Sequence, residues 1–310
     1  MLLIILLLSI AIDVIIGELP SKVHPVVIIG KLIDFFKNKL IKYRNKTSGL
    51  ILTVLITCIS TVLLFIVFTI IKVNTILFVI VYSILLSSTF SIKLLINSAK
   101  DIENKLKEDI NSARKAVSYL VSRDTNELTE GFIVSATIES LTENITDSYV
   151  APIFYFVIFS IFLKNHLFIL LMFPVFYRII NTLDAMVGYK NKELKYIGFF
   201  PAKLDDILNF IPSRISGIII VIASFILNYE NKNSWKILRR DAKNCPSPNS
   251  GYTMAPTAGA LNIQLIKKDV YTLGDDNKRI TKEDITKAIN LSIVTIILFT
   301  AIMVILVVLT

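Results

Sequence analysis

An all-α, polytopic membrane protein is the fold class this sequence predicts, on three observations. Of its 310 residues, 54% are hydrophobic and 18% charged, against about 45–50% and 25% in an ordinary soluble domain. Mean hydropathy is +0.68. The apolar residues gather in runs close to the ~20 residues that cross about 30 Å of hydrocarbon, with the charges collected between the runs. Disordered, collagenous and disulfide-built chains are excluded by the same composition.

The first run, residues 2–16, has no basic segment, no small-residue cleavage site and contains Asp13, so it reads as a retained segment and not a signal peptide. Residues 50–71 and 75–97 are the clearest spans. Between 99 and 121, Ile102, Leu106, Ile110, Ala113, Val117 and Leu120 recur every three or four positions, with Lys and Glu on the other face. That period predicts an amphipathic helix lying on the membrane or across the ends of the spans. Residues 153–180 fit a tight hairpin broken near Lys164, Asn165 and His166. Residues 211–228 form a shorter candidate interrupted by Arg214. Thr281 with Asp284 three residues on resembles a capping-box start, leading into 288–310, a final span with no charged residue. The expectation is about five or six membrane segments plus amphipathic cytoplasmic helices. With no repeat or linker, residues 1–310 read as one membrane-integrated domain.

The net charge of +9 needs no nucleic acid to explain it. Of the 33 Lys and Arg, 28 fall in four loops (residues 18–49, 98–148, 183–207 and 230–288), whereas the 72–74 connector holds one. The positive-inside rule places those four loops in the cytoplasm of a multi-pass cell-membrane protein. Cys58 and Cys245, far apart in sequence, imply neither a disulfide nor a Cys-based metal site, and two histidines, His24 and His166, are too few for a His-based one.

The polar residues that are expensive beside a membrane point to chemistry. Glu139, Glu143 and Asp147 recur every four residues and share a face if helical. Three stacked carboxylates repel one another, and a divalent metal with phosphate would relieve them; a solvated acidic face is the bland alternative. Arg178, Asn181 and Asp184 recur every three residues at the end of an apolar run. Asp205, Asp206 and Asn209 form a third cluster, followed by Arg214. In residues 240–261, turn formers and Ser247, Asn249 and Ser250 suit an anion such as phosphate, and no Walker A or dinucleotide-binding glycine pattern is present.

Taken together these blocks resemble the adenosylcobinamide-phosphate synthases of cobalamin biosynthesis over nearly the whole chain. The resemblance rests on Asp13, Gly17, Pro20, His24, Pro25 and Gly30, then SRDTNEL at 122–128, ESLTENITDSYVAP at 139–152, NTLDAMVGYKN, KLDDILNFIPSR, and RDAKNCPSPNSG with AGAL, in that order. Many relatives carry Gly, His and Glu where this chain has Ser122, Cys245 and Met254, which puts any role of those positions in doubt. The resemblance implies ATP-dependent amide formation between a propionate of adenosylcobyric acid and aminopropanol or its phosphate. ATP and Mg²⁺ are the expected co-substrate and metal, the corrinoid the substrate and the bilayer the setting; a homo-oligomer is left open. It assigns metal ligation among Glu139, Glu143, Asp147, Asp184, Asp205 and Asp206. Phosphate or substrate binding falls to Arg123, Arg178, Asn181, Arg214, Arg240, Ser247 and Asn249, and catalysis to Asp124, Glu143, Asp184 and His24, with the base unranked. NTLDAMVG and DDILN also echo the aspartate motifs of membrane prenyltransferases, although Gly188 stands where a further Asp is wanted. A solute transporter is the third reading, and no inverted repeat supports it.

Overall fold

The computed structural model describes residues 1–310 except Val73, Lys190 and Thr310, so one residue each of the 72–74 connector, the NTLDAMVGYKN block and the last span lies outside the described residues. Among the described residues the regular elements are helices apart from one short hairpin. In order the helices are α1 (Leu2–Ala11), α2 (Pro25–Leu40), α3 (Lys46–Ile71), α4 (Thr75–Ser87), α5 (Ile92–Glu108), α6 (Ile110–Ser118), α7 (Glu130–Ile145), α8 (Ala151–Leu163), α9 (Leu167–Val187), α10 (Phe199–Leu208), α11 (Phe210–Ile226), α12 (Asn231–Asp241), α13 (Gly251–Leu261) and α14 (Glu283–Leu309). Antiparallel β1 (Leu265–Lys267) and β2 (Tyr271–Leu273) lie between the last two, with Leu265 opposite Leu273. Five helical stretches are long and apolar enough to cross a membrane, or six if α10 with α11 counts as one. An all-α polytopic membrane protein with five or six segments is thus what the chain forms. Large apolar side chains such as Phe65, Ile70, Phe162, Phe225 and Leu309 stand exposed on these stretches, a surface suited to hydrocarbon and not to water.

The chain divides into two compact units with interleaved segments. The first comprises Met1–Lys93, Ala151–Leu208 and Met303–Thr310, and the second Leu94–Val150 and Asn209–Ile302.

In the first unit, α8 and α9 form the expected hairpin, broken at residues 164–166 and packed through Phe159 stacked on Phe173. The expected span from residue 75 is interrupted at residues 88–91. There the buried Asp13 carboxylate accepts from the amides of Ile92 and Lys93 at 2.8 and 3.1 Å, satisfying donors that open α5. Gly49 of α3 lets the chain pass against the Ile197 carbonyl, where any Cβ would collide with backbone. A Gly49→Ala variant should lose about 1–3 kcal/mol, the range for overpacking a close contact, measured by thermal unfolding in detergent.

In the second unit, the predicted amphipathic stripe is observed. Ile102, Ala113 and Val117 are buried with Ile133 and Ala136 of α7, and Leu106, Ile110 and Leu120 pack around them. The helix is broken at Asp109, because its carboxylate caps the amide of Ser112 at 2.8 Å and restarts the chain as α6. In the first turn of α14 the Asp284 carboxylate accepts from the Thr281 amide at 3.0 Å, one half of the predicted capping box, while the Asp284 amide donates to the Thr281 carbonyl. Small residues make α13 a buried hub. Gly251 lies on the Ala242 carbonyl and Gly259 on the backbone of Asn233 and Ser234, approaches that exclude a side chain.

Candidate functional site

The first unit gathers one set of chemistry-bearing residues at the C-terminal end of α9. On that helix the three-residue spacing puts Arg178, Asn181 and Asp184 on one side, and α10 supplies the acids opposite. Arg178 Nη1 donates to Asn181 Oδ1 at 3.0 Å, and Asn181 Nδ2 donates to Asp205 Oδ1 at 3.4 Å. Asp205 is buried. Asp184 lies within electrostatic reach of the like charge of Asp206. Gly188, one turn beyond Asp184, sits where a Cβ would run into the Asp184 carboxylate, and Gly198 likewise meets the Val187 carbonyl. The missing Asp of the prenyltransferase echo is therefore sterically forbidden: a side chain at 188 would displace Asp184.

His24 belongs to the same unit. Its Nδ1 accepts from the Val26 amide at 3.2 Å, which makes it the N-cap of α2, with Pro25 in the first turn. Burial holds the imidazole below its ordinary value near 6.5; nearby Glu18 opposes this and Arg178 adds to it. The native state therefore keeps His24 neutral while the unfolded chain takes up a proton as pH falls through about 6.5. The resulting stability is complete above that pH and is lost as pH falls through 6.5 toward the lowered native value. A His24→Asn variant, which retains a capping oxygen, should lose less thermal stability than the wild type between pH 8 and pH 5.

The second unit holds another polar network, centred on Glu139. The Glu139 carboxylate, 4% exposed, accepts from Ser135 Oγ at 2.6 Å, Tyr271 Oη at 2.7 Å and Arg123 Nη2 at 3.2 Å. Ser135 Oγ in turn accepts from the Ile266 amide, tying β1 to α7. Burial and the charges of Glu139 and Glu143 push the Tyr271 hydroxyl far above its ordinary value, so it remains a donor. Cys245 and Met254 border the same network: Tyr271 Oη reaches Met254 Sδ at 3.7 Å, and burial first, then Glu143 and Glu139, raises the Cys245 thiol to about 11 despite a hydrogen bond from Ser250. Cys245 should therefore resist maleimide at pH 8 in the folded protein and react once unfolded, as mass spectrometry of labelled samples would record.

Glu139 and Glu143 of the expected stack share a face of α7, and Asp147 follows in a π-helical turn over residues 146–150. The charge on Glu139 is offset by protein donors, so no metal is needed to make its burial tolerable. The six acids proposed as ligands fall into two groups, three in each unit. Among the described residues no three His, Cys, Asp or Glu side chains converge as a ready metal site.

Several proposed phosphate-binding groups hold the protein's own loops. Arg214 is sandwiched between the rings of Phe210 and Tyr252, 3.8 and 3.9 Å from their centroids, and donates to Asn249 Oδ1 at 2.6 Å and the Pro248 carbonyl at 3.0 Å. Ser247 Oγ accepts from the amides of Asn249 and Ser250. This clasp shapes the PSPNSG turn that opens α13. Arg240 is engaged by Asp241 at 2.6 and 2.8 Å and by Asp275 at 2.7 Å, which raise its already high pKa. Asp124 is exposed and accepts from the Asn126 amide in a turn of the RDTNEL block. In the segment expected to cradle an anion, Arg214, Arg240 and Ser247 are thus engaged by groups of the protein itself. Sequence reading missed Tyr271 and Ser135. Nothing in the pattern of a three-residue strand marks its tyrosine, and only a contact 132 positions away reveals it.

The family model described as CobD/Cbib protein matches residues 6–292. The chain belongs to that family. A CobD/Cbib relative from Methanothermobacter thermautotrophicus, named probable cobalamin biosynthesis protein CobD, is 47% identical over 296 residues, covering 96% of this chain and 95% of its own length. One of the same name from Methanocaldococcus jannaschii is 41% identical, covering 93% and 91%. The Listeria monocytogenes cobalamin biosynthesis protein CobD is 36% identical, covering 91% of each. No solved structure matches the chain. The match spans all the ordered sequence blocks, including RDTNEL and PSPNSG, which the prenyltransferase echo left unexplained.

Proposed function

We propose that this CobD/Cbib protein acts in cobalamin biosynthesis as an ATP-dependent amide-forming synthase, joining aminopropanol or its phosphate to a propionate of adenosylcobyric acid. The family match across residues 6–292 carries the reading, and the Arg178–Asn181–Asp205 chain beside Asp184 and Asp206 supplies groups the chemistry requires. A carboxylate is a poor electrophile. Its oxygen first takes the terminal phosphoryl group of ATP, giving an acyl phosphate and ADP. The amine nitrogen then forms the amide bond as the C–O bond to phosphate breaks.

Asp184 and Asp206 are the residues that would hold Mg²⁺, which commonly takes one or two carboxylates and fills its other positions with water and substrate phosphate. When bound it neutralises charge on the transferring phosphoryl group. Asn181 orients Asp205, and Arg178 brings a positive guanidinium to the same helix end, suited to a phosphate oxygen pair. Neutral His24, within electrostatic reach of Arg178, has its Nδ1 lone pair taken by the Val26 amide, so its Nε2 carries the proton and we assign it as a hydrogen-bond donor to the substrate phosphate. His24→Asn preserves the cap of α2 and removes the Nε2–H donor, so turnover should fall by roughly 10²–10³-fold with the fold retained. Unchanged turnover would leave His24 as a cap alone.

The test of the reaction itself is direct. Protein purified in detergent is given adenosylcobyric acid, ATP, Mg²⁺ and either aminopropanol or its phosphate, and the amide product is sought by mass spectrometry. A folded sample that makes no product with either amine would overturn the synthase reading.

A further inference from the structure

A cavity of about 470 Å³ lies within the first unit at the opposite end of α9 from Asp184. His166 and Asp184 are eighteen positions apart on or beside that helix, about 27 Å at 1.5 Å per residue. Three helix ends meet there: α3 finishes at Ile71, and α4 and α9 begin at Thr75 and Leu167. Phe68, Phe78 and Phe168 wall the cavity, with Phe68 edge-on to Phe78 at 5.2 Å and to Phe168 at 5.3 Å. Lys72, Thr75, Asn165 and His166 supply its polar side chains. No acidic side chain lines it among the described residues.

Each part favours one chemistry. An aromatic wall beside a lysine and an imidazole at the end of membrane-length helices suits an anionic head carried on an apolar body. α9 starts at His166 without a side-chain cap, so the positive end of a 21-residue helix adds to the field of Lys72. α4, by contrast, is capped by Asn74. The volume lies within the roughly 300–1,000 Å³ usual for ligand sites. We propose that this cavity binds the head of a net-anionic amphipathic phosphate ester, in preference to a zwitterionic one, at the end of the bundle away from the acidic cluster. A phospholipid and a soluble phosphate ester are the two sources of that chemistry.

Native mass spectrometry of the full chain in neutral detergent distinguishes them. Dioleoylphosphatidylglycerol should remain bound where dioleoylphosphatidylcholine is lost, and glycerol 3-phosphate should bind only weakly. If glycerol 3-phosphate binds as well as the lipid, the site takes a soluble ester. A Lys72→Gln/His166→Gln double variant should bind the anion about tenfold more weakly, as expected when charge-assisted contacts are removed. Lys72→Arg should retain binding, and unchanged melting temperatures confirm that both variants are folded. Equal retention of the two lipids with no binding of glycerol 3-phosphate, or anion binding unaffected in the double variant, would overturn the proposal.

Discussion

Replacing Asp184 by Asn should lower turnover by roughly 10³-fold, the scale for removing a group that stabilises charge in a transition state, while the protein inserts normally and melts no lower than the wild type. The stability half follows from the electrostatics. Asp184 and Asp206 are like charges near one another, an arrangement that costs folding free energy and gains a purpose when a cation and phosphates arrive. Asn is isosteric and removes the repulsion, so the Gly188 contact on the Asp184 side chain is kept. The Mg²⁺ concentration giving half-maximal activity should rise in Asp206→Asn. Loss of both melting temperature and activity in Asp184→Asn would instead make Asp184 structural, and near-normal turnover would remove it from the site.

Asp184 also illustrates how far the sequence could be read. Its spacing from Arg178 and Asn181 needs only the helical period, so their common side was legible, as were the long spans and the stripe from Ile102 to Leu120. What no period encodes is where a register changes or which distant segment pairs with a side chain. The π-helical turn at residues 146–150 is such a change of winding, and nothing in the four-residue spacing of Glu139, Glu143 and Asp147 announces it. Asp13 was visible as an anomalous acid in an apolar run, but its role capping Ile92 and Lys93 depends on a contact across some 80 positions. Arg214 and Arg240 look alike in sequence to Arg178. Only the structure distinguishes the two that clasp neighbouring loops from the one beside the acidic cluster.

Glu139 gives the second large effect, and its sign separates a structural carboxylate from a metal ligand. Glu139→Ala leaves the Arg123 guanidinium, the Ser135 hydroxyl and the Tyr271 phenol without their shared acceptor in a buried place. Removing one partner of a buried ion pair costs about 3–5 kcal/mol, enough to threaten a domain of ordinary stability. Tyr271→Phe removes one hydrogen bond to a charged group, about 1.5–3 kcal/mol, and should loosen the β1–β2 hairpin, visible as faster amide exchange over residues 265–273. Because both substitutions act on one network, their effects should fall short of additive in a double-mutant cycle. Glu139→Gln discriminates best: it keeps an acceptor for Ser135 and withdraws the charge facing Arg123. A network carboxylate predicts a lower melting temperature with an unchanged Mg²⁺ requirement, whereas a metal ligand predicts an unchanged melting temperature and a raised requirement. The donors already converging on Glu139 favour the former.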